Sequence, residues 1–153
     1  MRMKRPLILL FSLSSAVLWQ VPLSWSAGAQ SAASPPFRVI VNAANPRPRI
    51  SRDFVANAFL RKTSRWPHGE MIRPVDQDSG AGARQKFSQD VLRRSVGAVR
   101  IYWQQLIFSG RGLPPPELES DQDVIRYVAR NNGAIGYVSG SAEVGGVKVV
   151  SLD

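Results

Sequence analysis

The sequence predicts an α/β domain, a parallel or mixed sheet with helices on its faces. Two observations carry this. Apolar, β-branched runs stand at Phe37–Val41, Ala134–Val138 and Val147–Val150, as buried strands require. Between the first two runs lie segments whose apolar residues recur at helical spacing, several opened by a serine that can cap them. Strands alternating with helices stack a sheet against helical layers.

The chain has 153 residues, no Cys, and 20 Lys+Arg against 11 Asp+Glu. Its start reads as a segment removed on export. Met1-Arg2-Met3-Lys4-Arg5 is a basic opening, Leu7 to Trp19 is apolar but for serines, and Ala27-Gly28-Ala29 supplies small residues. That is a secretory signal peptide over residues 1–29, cleaved after Ala29, with Ser26 or Ala27 as other cleavage points. The apolar run falls short of the ~20 residues that span a bilayer, so no stable membrane insertion is expected after cleavage. With no Cys after the small residues, a lipid cannot be attached there. Removal leaves roughly 120 residues, enough to bury about two-thirds of the unfolded surface without disulfides. It takes Arg2, Lys4 and Arg5 with it, and the chain stays basic, which favours acidic surfaces or anionic ligands. Nucleic acid is not expected as a partner, since the chain is exported and shows no recognition motif.

Residues 30–36, QSAASPP, read as a flexible leader, and residues 37–153 as one domain. After the strand Phe37–Val41, Pro46 and Pro48 break regular structure. Ser51 caps a helix with Phe54, Val55, Ala58 and Phe59 as its buried stripe and Arg61 and Lys62 in its last turn. Met71–Val75 alternates weakly and reads as the second strand, ended by Pro74. Asp76 to Ala81 carries turn and capping residues, and from Gly82 onward Ala83, Phe87, Val91 and Leu92 follow a helix. Ser95 caps a third helix with Val96, Val99, Trp103, Leu106 and Ile107 on one face, taken as core. Ser120 with Asp123 has capping-box spacing at the start of a fourth helix. Its apolar face is Val124, Ile125, Tyr127 and Val128, and Asn132-Gly133 stops it.

The loop from Arg73 to Phe87, RPVDQDSGAGARQKF, is where the chain looks most like a site. A loop that leads into a helix aims unpartnered N–H groups at one point, and the helix dipole adds positive charge there. Such a start can hold an anion. The candidate ligand-binding residues are Ser79, Gly80, Ala81, Gly82, Ala83 and Arg84, with Arg73 and Asp76 in support. A capped helix that holds nothing fits the same residues. No catalytic set stands out. His68 is the one histidine and has no Cys or His companion for a metal. No GxSxG elbow is present, and Asp76 with Asp78 reads as solvated polar surface. Binding is better supported than catalysis, so no cofactor and no metal are expected.

Several runs together resemble the substrate-binding proteins of phosphate ABC transporters. They are Val39-Ile40-Val41-Asn42 with Asn45-Pro46, Ser51 to Lys62, Trp66-Pro67-His68-Gly69, and Ile72 to Val75. The Gly-rich loop with Arg84 and Phe87 follows, and then Tyr127-Val128 with Asn132 to Val138. The resemblance implies a single three-layer lobe of the type II periplasmic-binding-protein kind, with a mixed, mostly parallel sheet. It implies a periplasmic, non-enzymatic protein, with phosphate or another oxyanion as ligand and an envelope or transporter protein as partner. Two departures stand out. The family has two lobes around a cleft, and this chain resembles one of them. The family's loop carries Ser-Gly-Thr before Arg, where this chain has Ala81-Gly82-Ala83 before Arg84. Two hydroxyl donors are missing, each worth about 1.5–3 kcal/mol to a charged ligand. Ser79 is the substitute hydroxyl. The other reading is an envelope interaction module that kept the fold and lost the ligand, using its basic surface or the loop Ser109 to Pro116.

Overall fold

The computed structural model describes residues 34–153. The predicted signal segment and its cleavage site lie outside them. In chain order the elements are β1 (Phe37–Asn42), β2 (Arg49–Ile50), α1 (Arg52–Phe59), β3 (Arg73–Pro74), β4 (Asp76–Gln77), α2 (Gly82–Asp90), α3 (Val96–Phe108), β5 (Glu117–Leu118), α4 (Asp121–Arg130), β6 (Ala134–Ser139) and β7 (Val147–Leu152).

Five strands form one sheet in the order β2-β7-β1-β6-β3, and β4 pairs with β5 in a second, two-stranded one. The main sheet is mixed. β1 lies between β6 and β7 and runs antiparallel to both. The parallel pairings, β2 with β7, β3 with β6 and β4 with β5, are each two residues long. The parallel character expected of the sheet therefore lies in its short pairings, and its long central ones are antiparallel.

Alternation along the central strands divides the core in two. Val39 and Val41 of β1 and Ile135 and Tyr137 of β6 face Val55 and Phe59 of α1, Phe87 of α2, and Val99 and Trp103 of α3. Ile40, Ala134 and Val138 face the other way, onto Val124, Ile125 and Val128 of α4. The result is the expected three layers. Register places Ile40 opposite Gly136. A Cβ on Gly136 would come within 2.7 Å of Val124 and 2.9 Å of Val75. Only a glycine lets α4 pack this closely on the sheet.

Serines cap three helices as expected. Ser51 Oγ accepts from the Phe54 N–H, Ser95 Oγ from Ala98, and Ser120 Oγ from Asp123. Gly133 takes a left-handed φ of 73°. A side chain there would strike the Met71 carbonyl.

Three expectations are corrected. Arg61 and Lys62 lie past the end of α1, not in its last turn. The helix closes when Arg61 adopts a left-handed φ of 57° and the Lys62 N–H reaches the Asn57 carbonyl. The strand expected over Met71–Val75 is reduced to Arg73–Pro74, because the Asp76 N–H turns away to the Pro116 carbonyl and starts the β4–β5 pair. Ile107, expected in the core, is exposed, since α3 meets the body through Val99 and Trp103.

Ile135 is fully buried at the centre of β6. Ile135→Asp should cost at least about 4 kcal/mol, because an unpaired charge would sit inside the sheet. Urea unfolding checks this, and a midpoint close to that of the parent chain would contradict the core assignment.

Candidate functional site

The loop before α2 is shaped by Asp78. Its carboxylate accepts the Gly80 N–H at 2.8 Å, and its carbonyl accepts the Ala81 N–H at 3.0 Å. Ala81 then occupies the N-cap position, and no side chain caps the helix. An alanine has nothing to offer the N–H groups of the first turn. α2 differs in this from the three serine-capped helices.

Arg84, in the first turn of α2, points inward and is 3 % exposed. Its guanidinium Nη1 pairs with the Asp76 carboxylate, which is equally buried, and Nη2 lies 3.7 Å from Glu117. The Tyr137 hydroxyl donates to Asp76, and the Gln77 N–H donates to the same oxygen at 3.0 Å. Burial raises the Tyr137 pKa well above the ordinary phenol value, with the Arg84 charge working weakly against it. Tyr137 therefore stays protonated and remains a donor to Asp76. Its ring stacks on Phe87 with centroids 3.9 Å apart. Four elements, α2, β4, β6 and β5, thus meet at one buried guanidinium. Arg84 Nε has no hydrogen-bond partner among the described residues.

Beside this group lies a cavity of about 170 Å³ lined by Ser79, Arg84, Arg100, Trp103, Gln104 and Glu117, among others. It has room for a small oxyanion or a few waters. The structure therefore brings Ser79 and Arg84 to one cavity. Gly80, Ala81 and Gly82 lie at the open side of the same loop, while Ala83 is buried in the core. Arg73 stands apart, on a separate surface hollow with Arg61, Met71 and Tyr127. Asp76 is not solvated surface as the sequence suggested. It is buried because Arg84 and Tyr137 satisfy it. Arg100 and Glu117 were not anticipated as site residues, since both are charged residues of ordinary exposed type in the sequence.

The structural comparisons are to phosphate-transport proteins. The chain matches an ABC-type phosphate transport receptor from Vibrio cholerae at 17 % identity and a TM-score of 0.60, over 76 % of this chain and 46 % of that one. It matches a Clostridium perfringens protein, assigned as a phosphate ABC transporter substrate-binding protein and solved with bound phosphate, at 19 % and 0.61, over 77 % and 45 %. PstS from Borrelia burgdorferi matches at 12 % and 0.56, over 77 % and 47 %. The chain has the fold of a phosphate-binding receptor. It spans less than half the length of these receptors. No protein-family model and no curated relative matches it. Among the described residues, no helix is long and apolar enough to cross a membrane, and no group of His, Cys, Asp or Glu is placed to hold a metal ion.

Removing Arg84 would leave Asp76 charged and unpaired in the interior. Arg84→Met should therefore cost about 3–5 kcal/mol. Adding Asp76→Asn to it should recover most of that loss, since the amide still accepts from Tyr137. Equilibrium unfolding of the single and double variants checks the coupling. Additive losses would show that the two side chains do not depend on each other.

Proposed function

We propose that this chain is an exported, non-enzymatic, receptor-like domain that binds phosphate or a related oxyanion weakly at the start of α2, in support of phosphate transport or sensing. The observation that carries the reading is the uncapped first turn of α2 beside a buried arginine with an unpartnered Nε. Open N–H groups and the helix dipole favour an anion at that end. The fold shared with phosphate-transport receptors supports the same choice.

Two features make the binding weak. Arg84 already shares its charge with Asp76 and Glu117, so it offers less to a ligand than a free guanidinium. The loop lacks the hydroxyls that Ala81 and Ala83 replace. Signal-directed export to the periplasm and a transporter or envelope partner belong to this proposal. The exposed side chains of Phe108 and Leu113 favour a second role in surface contact.

A substitution that leaves the core alone tests the site. Ala81→Asp supplies the missing cap and a negative charge at the helix end. It should stabilise the ligand-free protein by about 1 kcal/mol. A millimolar Kd gives the parent chain about 1.4 kcal/mol of phosphate-specific stabilisation at ten millimolar ligand. Ala81→Asp should abolish that increment, measured by thermal unfolding against chloride at matched ionic strength. An equal phosphate increment in both proteins would place the anion elsewhere, and none in the parent would remove the oxyanion reading.

A further inference from the structure

We infer that the outer face of α3 and the loop after it form a peripheral contact surface for an anionic lipid bilayer. This surface lies away from the start of α2, and of its residues only Arg100 and Ile107 also line the cavity beside Arg84. Two observations carry it, one apolar and one electrostatic.

α3 is apolar on more sides than it can bury. Of its thirteen residues only Val99 and Trp103 are fully buried. Ile101 and Phe108 fall on the opposite face, spaced as i and i+7. Phe108 is 91 % exposed, Leu113 in the following loop 68 %, Ile101 57 % and Ile107 45 %. These are most of the large apolar side chains that the described residues leave exposed. Phe108 and Leu113 project from the surface instead of lining a groove. A shaped protein partner would need a matching pocket for each, whereas the acyl boundary of a bilayer accepts projecting apolar groups of any outline.

The charge along this stretch of the chain has one sign. From Val91 to Pro116 the chain carries no Asp or Glu, but it carries Arg93, Arg94, Arg100 and Arg111. None of the four makes a salt bridge among the described residues. Arg94 lies over the Tyr102 ring on one flank of α3, and Arg100 lies on the other. Arg111 is fixed just beyond the helix end, its Nε donating to Ser109 Oγ and its N–H to the Leu106 carbonyl. Glu117, the nearest acid in sequence after the helix, is turned toward Arg84. Apolar groups flanked by cations that form no salt bridge complement an anionic lipid surface. A second copy of this chain would meet the face with the same arginines and be repelled.

The test is co-flotation with vesicles, using the chain in the form recovered from cells. Vesicles of equimolar phosphatidylcholine and phosphatidylglycerol should carry the protein up the gradient, and pure phosphatidylcholine should not. Salt should release it, because the attraction is screened. Phe108→Ser with Leu113→Ser should weaken binding roughly tenfold or more, through the apolar area lost. Arg93→Gln with Arg111→Gln should flatten the salt dependence. All four side chains lie outside the core, so the variants should melt with the parent. Equal binding by the parent and the Phe108→Ser, Leu113→Ser variant would overturn the inference and place any lipid contact elsewhere in the chain. So would a lipid-free dimer of the parent that this variant abolishes, which would make a second copy the occupant.

Discussion

The buried pairing of Arg84 with Asp76 is the constraint on which the centre of this molecule depends. A guanidinium and a carboxylate withdrawn from water each carry a desolvation cost of several kcal/mol. Their attraction offsets it only if the remaining polar atoms are also satisfied. Tyr137 and the Gln77 backbone do this for Asp76, and Glu117 does it in part for Arg84. The arrangement fixes where α2 begins, because Arg84 lies in its first turn. It also explains why Asp76 and Gln77 leave the main sheet. Asp76 must face Arg84 of α2 while Val75 still packs against α4. Gln77 is held on its other side, its amide donating to Asp121 at 2.6 Å and to the Tyr137 carbonyl at 3.0 Å.

That constraint also sets what the loop can do. In a helix capped by serine the side chain already satisfies one of the first N–H groups. At Ala81 they are left to solvent or to an anion, a few residues from a cation that the interior holds rigidly. Rigid placement lowers the ordering cost of binding. Charge already shared with Asp76 and Glu117 lowers the gain. The shared charge would keep the proposed oxyanion binding weak.

Much of the fold was legible in the sequence where one physical signal dominates. Phe37–Val41 and Ala134–Val138 are apolar runs long enough to be strands on their own, and Ser51, Ser95 and Ser120 announce helices by their capping chemistry. The two-residue strands Arg49–Ile50, Asp76–Gln77 and Glu117–Leu118 carry no such signal. They exist because tertiary pairing brings a partner alongside, and Arg49 or Glu117 reads as a loop residue until it does. The left-handed turn at Arg61 is hidden for a related reason, since glycine is the residue that usually marks it. At the site, the loop and the start of α2 were visible in the glycines and turn residues. The burial of Arg84 was not. Arginine is ordinarily exposed, and only the fold reveals that Asp76 and Glu117 converge on it, with Tyr137 donating to Asp76. The misplacement of Ile107 has the opposite origin: an apolar residue at helical spacing looks like core even when the helix meets the body along one narrow stripe.

The account's central claim is that the first turn of α2 receives an oxyanion. Amide chemical shifts read this directly, residue by residue. On titration with phosphate at constant ionic strength, the Gly82, Ala83 and Arg84 amides should shift together and saturate in the millimolar range, while those of the serine-capped helices stay still. Shifts that never saturate, or that spread over the exposed arginines and pass these three amides by, would contradict it.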